Sequence, residues 1–148
     1  MQNDRFDEFQ IAKRHRIGYQ AFILTIALIV VNGIIKMNYS WADPLMEMFV
    51  LLFIPLTYLT VLAIWKGAYM SRKVKEKNSD FYFLMFGLVA LFNLFVLGQS
   101  IWYGTFVLIE DGKLAISAGI LLQTTFFTLV ASTQLVRRVA DFRTMKTD

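Results

Sequence analysis

The sequence predicts an all-α, polytopic membrane protein: four transmembrane helices forming two antiparallel hairpins, both termini cytoplasmic. Three observations carry that prediction. Four long apolar runs are separated by short polar breaks. The 148 residues are 57% hydrophobic and 18% charged, with a mean hydropathy of +0.52. All Lys and Arg residues except Lys36 and Lys113 fall in alternate breaks. Surface this apolar is solvated by lipid tails, and ~20 apolar residues cross the hydrocarbon as a helix.

Span 1 is read at residues 17–35. A polar stretch of mixed charge precedes it, including Asp4, Asp7, Glu8 and the cluster Lys13-Arg14-His15-Arg16. A cleavable signal has an apolar region of about 7–15 residues followed by a small-residue site. This run is longer and ends in Lys36-Met37-Asn38-Tyr39, so it reads as a retained helix. Span 2 covers residues 45–65. Asp43 is placed to cap its free N–H groups, Pro44 suits the first helical position, and Glu47 suits the positive helix end. Pro55 removes one helical hydrogen bond and is expected to bend the span. The basic break at residues 66–80 ends in Asn78-Ser79-Asp80, a second capping cluster. Span 3 is placed at residues 81–109, long enough to tilt or project beyond the bilayer. Glu110-Asp111-Gly112 signals a tight turn, and span 4 covers residues 114–136.

Positive charge in short loops stays cytoplasmic, so the charge asymmetry puts both termini inside a cell membrane. The basic residues flank apolar spans, which points to anionic lipid headgroups rather than nucleic acid. Lys13, Arg14, Arg16, Arg72, Lys73, Lys75, Lys77, Arg137 and Arg138 are the candidate headgroup contacts. Aromatic residues fall where interfacial belts belong: Tyr39, Trp41, Trp102 and Tyr103 at one end, Trp65, Tyr69, Phe81 and Tyr82 at the other.

The chain has no cysteine and one histidine, which excludes thiolate chemistry and Cys- or His-rich metal centres. No catalytic residue, metal site or cofactor is assigned, and the expectation is a non-enzyme. Four carboxylates, Asp43, Glu47, Glu110 and Asp111, sit near one interface as loop residues, where capping and turn roles account for them. The spans read as free of ionisable groups, which argues against active ion coupling.

Neutral polar residues remain. Asn93, Gln99, Gln123, Thr124, Thr128 and Ser132 form a candidate seam between spans 3 and 4. Thr124, Thr128 and Ser132 recur every fourth residue, so they should share one inward face. Asn93 is expected to bond Gln123 or Thr128, since an amide in hydrocarbon needs a partner. Ser100 with Gly104, and Ala115 with Gly119, read as small-residue notches for close helix contact. A shift of 61 residues lays Arg14 on Lys75, Arg16 on Lys77, Phe22 on Phe83, Asn32 on Asn93 and Trp41 on Trp102, as two related hairpins would.

Asp4-Arg5, Lys13-Arg14, Ile17-Gly18, Ala21-Phe22, Lys36 and Trp65-x-Gly67 together resemble small four-span membrane proteins of Gram-positive bacteria, grouped as families of unknown function. That resemblance covers mainly the first half. It implies an integral protein of a bacterial cytoplasmic membrane and no catalytic residue. The expected function is that of an accessory or regulatory subunit acting through helix–helix association, with a membrane-protein partner or a second copy. The alternative is a small oligomeric transporter or pore using the polar seam.

Overall fold

The computed structural model describes residues 8–69 and 72–144, with backbone alone for 72–80 and 141–144. Its elements are α1 (Glu8–Asn38), α2 (Pro44–Trp65), α3 (Arg72–Trp102), the two-residue strands β1 (Ile109–Glu110) and β2 (Lys113–Leu114), and α4 (Ala118–Thr144). Each of the four helices holds a stretch long and apolar enough to cross a membrane: Glu8–Asn38, Pro44–Trp65, Phe81–Trp102 and Ala118–Ala140. The class of protein this defines is a helical multi-pass membrane protein.

The principal packing runs α1 on α2, α2 on α4, and α4 on α3. Ile17 packs with Ala63 while Asn32 bonds Glu47, so α1 and α2 are antiparallel. Arg138 lies over Phe83 and Thr124 reaches Asn93, so α3 and α4 are antiparallel too. Between the hairpins α2 and α4 run in the same direction. Met46 packs with Ala118, the Phe53 and Phe126 rings meet edge-on at 5.6 Å, and Arg137 reaches the Ile64 carbonyl.

Burial follows from this order. The edge helix α1 buries only Ile17 and Ala21, with Leu24, Leu28 and Asn32 half-buried along the same stripe. That spacing of three and four residues marks one face of a helix. On α3 the corresponding residues are Ala90 and Asn93. The inner helix α2 is largely apolar and buries Met46, Glu47, Pro55, Thr60, Ala63 and Ile64. Gly119 on α4 has a packing reason to be glycine: an added Cβ would lie 2.9 Å from the Phe49 ring.

Two helices end on glycine in a Schellman motif, which needs a left-handed residue just past the helix. At α2, Gly67 (φ +71°) donates to the Ile64 carbonyl at 3.1 Å and Ala68 to Ala63 at 2.8 Å. At α3, Gly104 (φ +66°) donates to Ile101 at 3.1 Å and Thr105 to Ser100 at 2.9 Å. The second motif corrects the expected span 3: the helix stops at Trp102, and Gly104 is its C-terminal cap rather than a notch. The following apolar residues form a connector and the β1–β2 hairpin. Asp111 (φ 49°) and Gly112 (φ 75°) sit at its turn, as a two-residue hairpin with Asp-Gly requires.

Other boundaries also move. Helix α3 begins at Arg72, so Asn78-Ser79-Asp80 lies inside it and does not start it. Lys, Arg and Glu are good helix formers, and here they outweigh the capping signal. Helix α1 extends through Lys36 to Asn38, and α4 starts at Ala118. Helix α2 continues unbroken through Pro55. Asp43 occupies the N-cap position of α2 with extended backbone, but its side chain makes no cap bond. Its main chain is used instead. Asp43 N donates to the Leu114 carbonyl at 3.4 Å, and Leu114 N donates to Trp41 at 2.8 Å. Tyr39 Oη donates to the Gly112 carbonyl, so both interhelical connectors at this end are stitched together.

Candidate functional site

The expected polar seam is divided. Asn93 and Thr124 are buried together between α3 and α4, and Thr128 is half-buried. Gln99, Gln123 and Ser132 are exposed, so they line no common path with the other three. The reason is geometric. Helix α4 is packed on two sides, by α2 and α3, and an i, i+4 row drifts round the helix out of the covered sector within two turns.

Asn93 does not bond Gln123 or Thr128. Its Nδ2 donates to the Val89 carbonyl one turn back, at 2.9 Å. Thr124 donates to its own preceding turn at Ile120, at 2.7 Å, and approaches the Asn93 carbonyl at 3.5 Å. Local pairing of this kind satisfies hydroxyls and amides without a partner helix. Asn93→Leu is therefore expected to change stability by about 1 kcal/mol or less, because the lost bond is offset by a lost desolvation cost. Thermal melts in detergent check this. A shift corresponding to several kcal/mol would show that Asn93 holds α3 to α4.

The ionisable site lies elsewhere, where α1 ends and α2 begins. Glu47 is 4% exposed. Its Oε2 accepts from Lys36 Nζ at 2.8 Å and from Asn32 Nδ2 at 3.4 Å. Asn32 Oδ1 in turn accepts from Trp41 Nε1 at 2.7 Å. Glu47 Oε1 is buried and has no partner in the protein. So the reading of Glu47 as a loop carboxylate, and of the spans as free of ionisable groups, is corrected. Sequence reasoning found each residue but not the cluster, because Lys36 falls just outside the apolar run at residues 17–35. The signal that could have found it is the extension of span 1 by three residues, which places Asn32 and Lys36 four apart on one helix face.

At the opposite end, several candidate headgroup contacts are engaged with protein. Arg137 Nη1 donates to the Ile64 carbonyl and, at 2.7 Å, to Trp65. Gln10 Nε2 donates to the Gly67 carbonyl at 3.0 Å, and Lys13 Nζ reaches Lys66 at 3.5 Å. These groups supply side-chain donors to the carbonyls at the C-terminus of α2, where Ile64 also takes the Gly67 N–H, and they face the negative end of its dipole. Arg138 sits over the Phe83 ring at 5.3 Å, and Lys13 over Phe9 at 4.1 Å. Arg14 and Arg16 lie on the exposed side of α1. The side chains of Arg72, Lys73, Lys75 and Lys77 lie outside the described residues. Tyr69, beside Phe86, has its phenol pushed up by burial and secondarily by Tyr82, which keeps it neutral.

Among the described residues, no group of three or more His, Cys, Asp or Glu is placed to hold a metal ion. Comparison with protein-family models, curated proteins and solved structures found no match.

Proposed function

We propose that the protein is a non-enzymatic accessory or regulatory subunit of a bacterial cell membrane that works by helix–helix association. In this reading both termini are cytoplasmic and the basic end meets anionic headgroups. The observation that carries it is the open state of the glycines on the edge helices. Gly33 on α1 and Gly98 on α3 lie on exposed faces, and nothing comes within 4 Å of where a Cβ would stand. Without water to drive association, membrane helices pair where small residues let backbones approach. Helices α1 and α3 occupy the two edges of the packing order, so both faces are available to a second copy or another membrane protein. The transporter reading has less support, since Gln99, Gln123 and Ser132 do not converge on a path.

Co-purification of the full chain from its native membrane in mild detergent tests the association. A reproducible partner, lost with Gly33→Leu or Gly98→Leu while the melting temperature is unchanged, is the expected result. Recovery of monomer alone sinks the reading. For orientation, a cysteine at Asn38 should react with an impermeant thiol reagent in intact cells, and one at Lys66 should not. The reverse pattern overturns it.

A further inference from the structure

We infer that Glu47 is a proton-binding site, and that its charge state clasps the far half of α1 to α2. The inference does not depend on the association reading above. It rests on how α1 is held. The buried residues of α1, Ile17 and Ala21, both lie toward the basic end, where Ile17 packs with Ala63 of α2. Between the two, Tyr58 Oη donates to Gln20 Oε1 at 3.2 Å. Farther along, Leu24 and Leu28 are half-buried, while Ile29, Val30, Val31, Ile34 and Ile35 are all exposed. At its far end α1 is joined to α2 by the polar contacts of Lys36 and Asn32 with Glu47.

A carboxylate buried this fully is stable only while its charge is matched. Lys36 supplies that charge through Oε2, but Oε1 is left with no donor. A buried acceptor without a partner is a site that gains from a proton or a small donor. On protonation Glu47 becomes neutral and ceases to hold the Lys36 ammonium. The Lys36 side chain is 49% exposed, so its ammonium can turn to water or headgroups. The clasp then loses its ionic half, and Asn32 is the polar contact left to this half of α1, beside the half-buried Leu24 and Leu28.

The other charged or titratable groups at this end are few. They are Tyr39 and Asp43 in the α1–α2 connector, Tyr103 after α3, and Glu110, Asp111 and Lys113 on the hairpin. The first turns of α4, from Ala118 to Thr124, carry none. Among the described residues, Lys36 forms the one ion pair with the Glu47 carboxylate. Trp41 provides a reporter, because it bonds Asn32, which bonds Glu47.

The test uses the full chain in proteoliposomes. An apolar carbodiimide reacts with protonated carboxyl groups in apolar surroundings, and mass spectrometry locates the adduct. Labelling of wild-type Glu47 is expected to rise at least tenfold as pH falls from 8 to 5. In a Trp65→Phe/Trp102→Phe background, Trp41 emission is expected to shift over the same pH range. Glu47→Gln should hold that emission at its acid value at every pH. Labelling of Glu47 that does not vary with pH overturns the proposal, and this result needs no variant to fold. Trp41 emission that titrates unchanged in Glu47→Gln overturns it as well.

Discussion

Lys36→Met is expected to destabilise the protein by about 3–4 kcal/mol at pH 7, while Glu47→Gln costs about 1 kcal/mol. The two partners of one ion pair differ because their exposures differ. The Glu47 side chain is 6% exposed and that of Lys36 is 49% exposed. Without Glu47, Lys36 reaches solvent and Asn32 keeps its bond from Trp41. Without Lys36, the carboxylate stays buried and unmatched, the situation that makes single removals from buried pairs costly. The loss has a ceiling, since the carboxyl can take up a proton. Protonating at pH 7 a group that ordinarily titrates near 4.3 costs about 3.7 kcal/mol. The sign of the pH dependence follows. In Lys36→Met the native state binds a proton that the unfolded state lacks at neutral pH, so stability rises as pH falls. The double variant Lys36→Met/Glu47→Gln should lie within about 1 kcal/mol of wild type, because no charge is left buried. Melting in detergent at pH 7.5 and 5 reads all four forms. Equal losses for the two single variants would mean that the pair is solvated rather than buried.

Much of the architecture was legible in the residues. Runs of apolar side chains long enough to cross hydrocarbon located four helices, because in lipid the backbone has few other ways to satisfy itself. Asp111-Gly112 located the hairpin turn, since both positions need positive φ. The misread boundaries share one cause. Hydropathy reports where a chain is apolar, not where a helix ends. Residues from Arg72 to Asp80 are polar yet helical, and residues from Phe106 to Ile109 are apolar yet not. Gly104 marked the second boundary, but a glycine that caps and a glycine that packs look alike in a sequence.

The candidate site was less legible for a related reason. Which polar residues meet depends on which helices are neighbours, and the packing order α1–α2–α4–α3 is not written in any single span. A seam drawn on spans 3 and 4 treated them as an isolated pair. With α2 on the other side of α4, Phe126 and Val130 take the covered positions, and Gln123 and Ser132 are left outside. The proposed two-hairpin echo aligned Asn32 with Asn93. The structure gives the two amides different work. Asn32 bridges Trp41 and Glu47 across a helix contact, and Asn93 bonds its own helix.

Arg137→Met is expected to cost about 2–3 kcal/mol, although charge counting alone makes Arg137 one more lipid contact. Its guanidinium donates to the carbonyls of Ile64 and Trp65, the last turn of α2. They lie beyond the reach of the regular helical ladder, Ile64 taking only the Gly67 N–H of the cap, and near a bilayer interface they compete poorly for water. A charged donor to such a group contributes about 1.5–3 kcal/mol, and the helix dipole adds a few tenths more. Arg137→Lys should recover less than half of the loss, since both bonds come from Nη1 at the far end of the guanidinium and the shorter Lys side chain brings its ammonium less far. The neighbouring cap offers an internal check. A Cβ at Gly67 would lie 2.5 Å from Arg137 Nη2, on a backbone with φ +71°. Gly67→Ala therefore displaces the guanidinium as well as straining the turn, which itself costs about 1–2 kcal/mol. The two substitutions damage the same cap, so the double variant should lose less than the sum of the singles. Melting temperatures of the three variants, measured alongside binding to anionic vesicles, decide the matter. If Arg137→Met melts like wild type and loses only vesicle affinity, the side chain serves lipid and not the helix end.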